Sequence, residues 1–512
     1  MLFNEEGKPR NKRHYIGKID PITGDAIYIP EYLARMEAEG RPLKIPQAVI
    51  SPALTVQDIR GSTVRSYGAF YLYEHLAQQM GLLEVLREAL PDYWQEVFNL
   101  SAYLVSTGDP FAYCEDWLES TEAYSVGSMA SQRISELLTK ITEVEREKFY
   151  HLWCSLRSEK EYLALDITSI SSYSELIESV AWGYNRDGDK LPQINLCLLM
   201  GLETGYPIYQ TAYNGSLNDV RTLKTTINTF GVLTGGEKLI TVMDKGFFSE
   251  KNVNAMLSEK WHTDFLVAVP FTGNFATDLV KSAQKDIDTI HNTIVHGAVS
   301  LRGVTRLRQW KKNPIYAHVY YNANKAHKTR EELYAKVASL RYQALEKPKD
   351  FVKNPDYTKY LIIRRSEKES SGYTVNIRED VVSAELEYVG WLVLISNCVT
   401  SAGEAIKIYR DKDVVEKGFL RLKNSLDLGR LRVHSERNMN SKLFVGFISL
   451  ILLSGIHKVM AGKKLYAKMT MKKLILTLSS LKLQMVNDER ILFPVTKAQR
   501  EIYNAFGIKE PV

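Results

Sequence analysis

Apolar positions along the chain follow two regimes, and the change comes near Glu161. From about Thr63 to Arg157 they recur at helical spacing, as in YGAFYLYEHLAQQMGLLEVLREAL, YWQEVFNLSAYLVS and SMASQRISELLTKITEVEREKFYHLW. Pro91, Gly108 and Pro110 break that stretch into separate helices. From Glu161 the period shortens. EYLALDITSIS is rich in apolar and β-branched residues and predicts a strand, and QINLCLLMGLETGYPIYQTAYNG predicts two more, turning at Thr204-Gly205. Asn218-Asp219 can cap a helix through about Phe230; KLITVMDKGFF predicts a strand, a helix follows from about Ser249, and DFLVAVP predicts another strand. Further on, NPIYAHVYYN, KYLIIRR, YTVNI and YVGWLVLIS read as strands, around a helix from Thr329 to about Glu346 opened by a Thr329/Glu332 box. Ser401 to Lys423 predicts a Pro-free helix with its own box, Ser401 and Glu404. A loop, a packing helix around Leu443 to Ile456 and an amphipathic helix over KKLILTLSSLKLQ complete the pattern. The order of elements supports the α/β class.

These shifts divide the 512 residues. Residues 1–60 form a basic arm and 61–157 a helical domain. An α/β core occupies 158–270 and 398–456, interrupted by a mainly β insertion at 271–397, and a helical region at 457–512 ends the chain. The insertion is required because about 170 residues separate Asp244 from Glu416, far more than one crossover needs.

Hydrophobic residues at 45% and charged residues at 25% fit a globular protein able to bury sizeable cores. Cys114, Cys154, Cys197 and Cys398 form no CxxC pair, which argues against a zinc site or a disulfide framework. The apolar run at Leu443 to Ile456 falls short of the roughly 20 residues of a membrane span, and no signal peptide opens the chain. A cytoplasmic location and no membrane partner are expected.

A net charge of +6 decides little, but its distribution is uneven. Residues 291–330 hold Arg302, Arg306, Arg308, Lys311, Lys312, Lys325, Lys328 and Arg330 without one acid, interleaved with Trp310, Tyr316, Tyr320 and Tyr321. Cations among aromatics suit phosphate contact with base stacking. Arg437 to Asn487 is likewise free of acids, with lysines clustered from Lys458 to Lys473, and the arm carries Lys8, Arg10, Lys12, Arg13 and Lys18. The tail can contact DNA or a second subunit, or be a solvated basic face; the arm can lie on DNA phosphates or be a disordered solvated terminus.

Chemistry is suggested by acids at strand ends. Asp166 follows YLAL and Asp244 follows LITVM. A buried carboxylate needs a cation, a positive side chain or solvent. On the helix, Tyr409, Lys412, Glu416 and Lys423 fall within roughly 60° of one face at about 100° per residue. One acid among hydrogen-bond donors suggests a divalent cation and a phosphodiester.

That stretch resembles the Y-x2-R-x3-E-x6-K signature of bacterial insertion-sequence transposases of the DDE class, the IS-four-like superfamily. Tyr409, Glu416 and Lys423 match, while Lys412 departs from the usual Arg and offers a point charge in place of a bidentate fork. The resemblance implies a ribonuclease-H-like core in which Asp166, Asp244 and Glu416 are catalytic and hold two Mg2+ ions, with Mn2+ as a substitute. It implies that Tyr409, Lys412 and Lys423 contact DNA, with Arg306, Arg308, Lys311 and Lys312 as further candidates. Relatives can stack a flipped base on an insertion-domain Trp; Trp310 is the candidate here, and a core Trp on a strand is the alternative. The implied partners are double-stranded DNA, at terminal inverted repeats and at the target, and a second copy in a homodimer. The implied activity is cut-and-paste transposition near the bacterial nucleoid. A nuclease without strand transfer and a non-catalytic DNA-binding descendant stay open as alternatives.

Overall fold

The structure, a computed structural model, describes residues 2–3, 9–10, 14–20, 26–41, 43, 62–156, 161–217, 219–233, 239–258, 261, 263–297, 299–368, 372–486 and 489–512. Its centre is a nine-stranded sheet. In chain order the strands are β1 (Leu163–Ser171), β2 (Gln193–Gly201), β3 (Pro207–Asn214), β4 (Ile240–Met243), β5 (Asp264–Ala268), β6 (Thr293–His296), β7 (Val299–Trp310), β8 (Asn313–Tyr321) and β9 (Trp391–Ser396). They lie in the order β6-β7-β8-β9-β5-β4-β1-β2-β3. β1, β2 and β3 run antiparallel, whereas β4 and β5 run parallel to β1. Helix α1 (Asp219–Leu233) connects β3 to β4. Every residue of β2 is buried, as expected of a strand covered on both faces. This mixed α/β sheet is consistent with the ribonuclease-H-like expectation.

The strands expected inside a separate insertion extend the sheet instead. β9 pairs with β5 on one side and β8 on the other, and β7 and β6 follow. Only the chain between β8 and β9 leaves it. There, helix Ala323–Glu346, hairpin Leu361–Arg365/Tyr373–Ile377 and helix Glu379–Leu386 bury Leu333, Val337, Tyr357, Leu361, Val375 and Val382 in a small core of their own. The insertion is therefore narrower than 271–397, and α+β rather than mainly β. Tyr321 and Trp391 are cross-strand partners at its neck, and the Asn322 amide donates to the Gly390 carbonyl at 2.8 Å. Gly390 has φ +87°, and a Cβ there would stand 2.6 Å from Ala326 Cβ, so glycine fits the pinch. The long helix starts six residues before the expected Thr329, because the Asn322 side chain caps the Lys325 amide.

Helix α2 (Ala402–Asp411) continues through Lys412 into α3 (Asp413–Leu420) and a π-type turn, Arg421–Ser425. The Ser401 side chain makes no cap hydrogen bond, so the expected box is not formed. Helix α4 (Glu436–Gly462) outruns its apolar centre. By length and composition it could cross a membrane, but 83% of its most apolar window is buried. Phe444 and Phe447 pack edge-on against Phe149 and Tyr150 of helix Glu143–Ser155, and Gln210 of β3 donates to the Leu443 carbonyl at 2.7 Å. Helical segment and sheet thus share one hydrophobic core and are not the two separate bodies expected. Toward the C-terminus, KKLILTLSSLKLQ is helical only over Met471–Ser479, and Lys482–Val486 is a strand.

The first residues form a second compact unit with 483–491. In it, Gly17–Ile19 pairs antiparallel with Ala26–Tyr28, and helix Pro30–Ala38 buries Tyr32 and Met36. The expected extended arm is folded over this stretch. Lys8, Lys12 and Arg13 of the basic arm lie outside the described residues, as does Asn218.

Candidate active site

Strand register brings the first two acids together. β1 and β4 pair Leu163 with Thr241, Ala164 with Val242 and Leu165 with Met243, so Asp166 and Asp244 are the next positions along two strands about 4.8 Å apart. Asp166 stands inside its strand, with buried residues on both sides, whereas Asp244 follows the end of β4; both carboxyls line one cavity, with Tyr184, Arg186, Asp219 and Lys245. The Asp166 carboxylate accepts from the Ile167 amide at 2.8 Å, and that of Asp244 from the Lys245 amide at 2.6 Å.

The helix supplies the third acid. Tyr409 donates its hydroxyl to Asp244 Oδ1 at 3.1 Å. Burial, then the Asp244 charge, pushes the phenol far up, so it remains a proton donor. Lys412 is buried, and its Nζ lies 4.0 Å from Asp166 Oδ2 and 3.4 Å from Glu416 Oε1. One ammonium therefore joins two acids 250 residues apart in the chain, while the Glu416 side chain stays 59% exposed. Burial raises the Asp166 carboxyl above its ordinary range; Lys412, the Ile167 amide and Arg186 oppose that, and Asp244 adds to it.

Among the described residues no three acid, His or Cys side chains stand at metal-ligating spacing. The donor set nonetheless suits a hard divalent cation in its chemistry: Asp166 and Asp244 are neighbours, Lys412 links Asp166 to Glu416, and every ligand atom is an oxygen.

Other expected residues are placed differently. Lys423 pairs with Asp187 at 2.5 Å, on the π-type turn. Arg306 is bidentate to Asp286 at 2.6–2.7 Å, and Lys311 pairs with Glu250 at 3.2 Å. These acids lie outside the acid-free window and reach it through the fold. Arg308 is half-buried and Lys312 exposed. Trp310 is half-buried, packed edge-on by Phe248 and Phe275, and donates Nε1–H to Asn254 at 2.9 Å. It occupies the packed position of the alternative reading.

The sequence did not single out Arg186, and it marked Asp219 only as part of a helix cap. A single terminal nitrogen of Arg186 donates to both Asp219 carboxylate oxygens at 2.6–2.7 Å, and the other donates to the Ile167 carbonyl. Gly246 makes room for the pair, since a Cβ there would stand 2.5 Å from Asp219 Oδ2. No short motif joins residues 33 positions apart; only the fold does.

The start of the helix is clamped from β8. Tyr320 donates to the Ala402 carbonyl at 2.7 Å. His318 Nε2 meets the Val399 carbonyl at 3.1 Å and Nδ1 meets Thr305 Oγ1 at 2.9 Å. A carbonyl only accepts, so Nε2 carries the proton and Nδ1 accepts. Burial pushes His318 down to about 4. Between about pH 6.5 and 4 the unfolded chain therefore binds the proton that the fold refuses. Stability is complete above that window and falls through it as pH drops, by on the order of 3 kcal/mol from this residue. Thermal melts of wild type and His318→Gln across the window test this: the variant should show the shallower pH slope, and equal slopes would refute it.

Residues 157–452, more than half of the chain, match a family model described as the transposase DDE domain. No curated protein matches the chain. It is similar to a cryo-EM structure of a piggyBac transposase synaptic complex with hairpin DNA, at 12% identity and a TM-score of 0.37, over 80% of this chain and 70% of that one.

Proposed function

Because this chain belongs to the transposase DDE domain family, we propose that it moves an insertion sequence by cut-and-paste, cleaving at inverted-repeat ends and joining the freed 3′-ends to target DNA. The observation that carries this reading is the neighbouring pair Asp166 and Asp244, linked through Lys412 to Glu416.

Asp166, Asp244 and Glu416 would hold two Mg2+ ions. Such a pair, when bound, lowers the pKa of an attacking water or 3′-hydroxyl and offsets charge on the departing oxygen. Tyr409 fixes the Asp244 carboxylate through its hydroxyl. Lys412, once Glu416 turns away, offers its ammonium to a backbone phosphate as a point charge. Lys423 would track the same strand if it leaves Asp187. The exposed lysines 463, 464, 468, 472 and 473 supply a salt-sensitive DNA contact. A homodimer on DNA would pair the two ends.

The test uses the full chain with DNA from the flanks of its reading frame. Metal-dependent nicking at an inverted repeat is expected, lost with EDTA and restored by excess Mg2+. Pre-cleaved ends should then join to a target plasmid. Cleavage without joining would favour the plain nuclease, and binding without cleavage the non-catalytic descendant.

A further inference from the structure

The segment between β1 and β2 combines a fixed backbone with unburied rings. Trp182 is 69% exposed and Tyr184 is 86% exposed. Large aromatic side chains usually bury most of their surface. Two such rings flanking one glycine and facing water call for an occupant.

The backbone beneath them is pinned. Ala181 and Gln193 exchange two amide-to-carbonyl bonds, at 2.9 and 3.0 Å. The Tyr184 carbonyl accepts from Gln193 Nε2 at 2.9 Å and from Ser169 Oγ at 3.4 Å. Gly183 lies so close to the 215 peptide that a Cβ would stand 2.0 Å from the Gly215 carbonyl oxygen. The rings therefore project from a rigid base, and little entropy is lost when something stacks on them.

Their position identifies the occupant. Tyr184 lines the same cavity as Asp166 and Asp244, and exposed Lys245 lines it too. Lys190 is exposed on the same segment. Aromatic faces beside cations, next to carboxylates that act on a phosphodiester, suit an unpaired strand whose bases stack while its phosphates meet the lysines. A stacked duplex keeps its base faces covered and cannot use such rings.

We propose that Tyr184, which lines the acid cavity, and Trp182, two residues before it on the same pinned segment, form a fixed stacking lip holding unpaired bases of the DNA strand being cut. The proposal rests on the transposase reading above. It assigns base stacking to the β1–β2 segment rather than to Trp310.

The test compares full-length wild type, the double variant Trp182→Ala/Tyr184→Ala, and Trp182→Phe. The probes are single-stranded oligothymidine and a blunt duplex of equal length, read by fluorescence anisotropy. The double variant should bind the single strand about tenfold more weakly, with duplex affinity unchanged, and Trp182→Phe should retain most of the single-strand affinity. An unchanged single-strand affinity, or an equal loss on both probes, would overturn the lip. So would unchanged DNA binding with lost self-association in sedimentation, which would assign the rings to a second copy. Both side chains are exposed, and matching melting temperatures would confirm that the variants fold; if the double variant does not, Tyr184→Ala alone is read the same way. Wild type that binds neither probe would overturn the transposase reading as well.

Discussion

Glu416→Gln is expected to lower strand cleavage by on the order of 10³-fold while leaving DNA binding largely intact. The amide keeps the shape of the side chain and removes its charge. Glu416 is exposed, and its ion pair with Lys412 spans 3.4 Å, so losing it should leave the core undisturbed. The damage should fall on the reaction, where under the proposed function the carboxylate would hold a cation against the developing charge. Asp166→Asn should match it in cleavage. Its carboxyl lies in the sheet beside Asp244, so the two variants probe opposite walls of one site. A gel assay with flanking-end DNA, run beside a binding assay, decides: a Glu416→Gln protein that cleaves at the wild-type rate removes this residue from the mechanism.

Lys412→Met should have the second large effect, on stability rather than chemistry alone. Removing one partner of a buried ion pair strands the other; losses of about 3 kcal/mol are typical at the low end, and the exposure of Glu416 argues for that end. Asp166 would then be left beside the Asp244 charge, with Arg186 still opposing it. Added Mg2+ should raise the melting temperature of the variant more than that of wild type, because a ligand bound only by the fold stabilises it. In the wild type, the ammonium and a bound metal would compete for the same carboxylates. An equal Mg2+ response in both proteins would refute that competition.

Both acids drew notice as carboxylates following apolar runs; Asp244 does stand just past its strand, whereas Asp166 lies inside β1, among buried residues. Their adjacency was not legible, since strand register depends on pairing across more than seventy residues. Tyr409 and Glu416 could be read from helical spacing. Lys412 could be placed on that face, but not its burial between two carboxylates. The basic stretch at 291–330 is less free in the fold than along the chain. Arg306 and Arg308 stand two apart on β7, yet Asp286, Asp288 and Glu250 come from outside the window to neutralise part of the run. Counting charges along a chain misses partners that arrive through space. Strands β6 and β7 were hidden by the same polar content. The interrupting unit was placed too broadly because β8 and β9 read as its strands, when they belong to the central sheet.

The pinch at Tyr321, Asn322, Gly390 and Trp391 gives the chain an exchangeable cassette. Both ends of the excursion are fixed by neighbouring strands that already hydrogen-bond to each other, so its contents are free of any duty to hold the catalytic scaffold in register. Descendants could lengthen, shorten or replace what lies between those four residues, and so acquire new DNA grips, while the chemistry underneath stays unaltered.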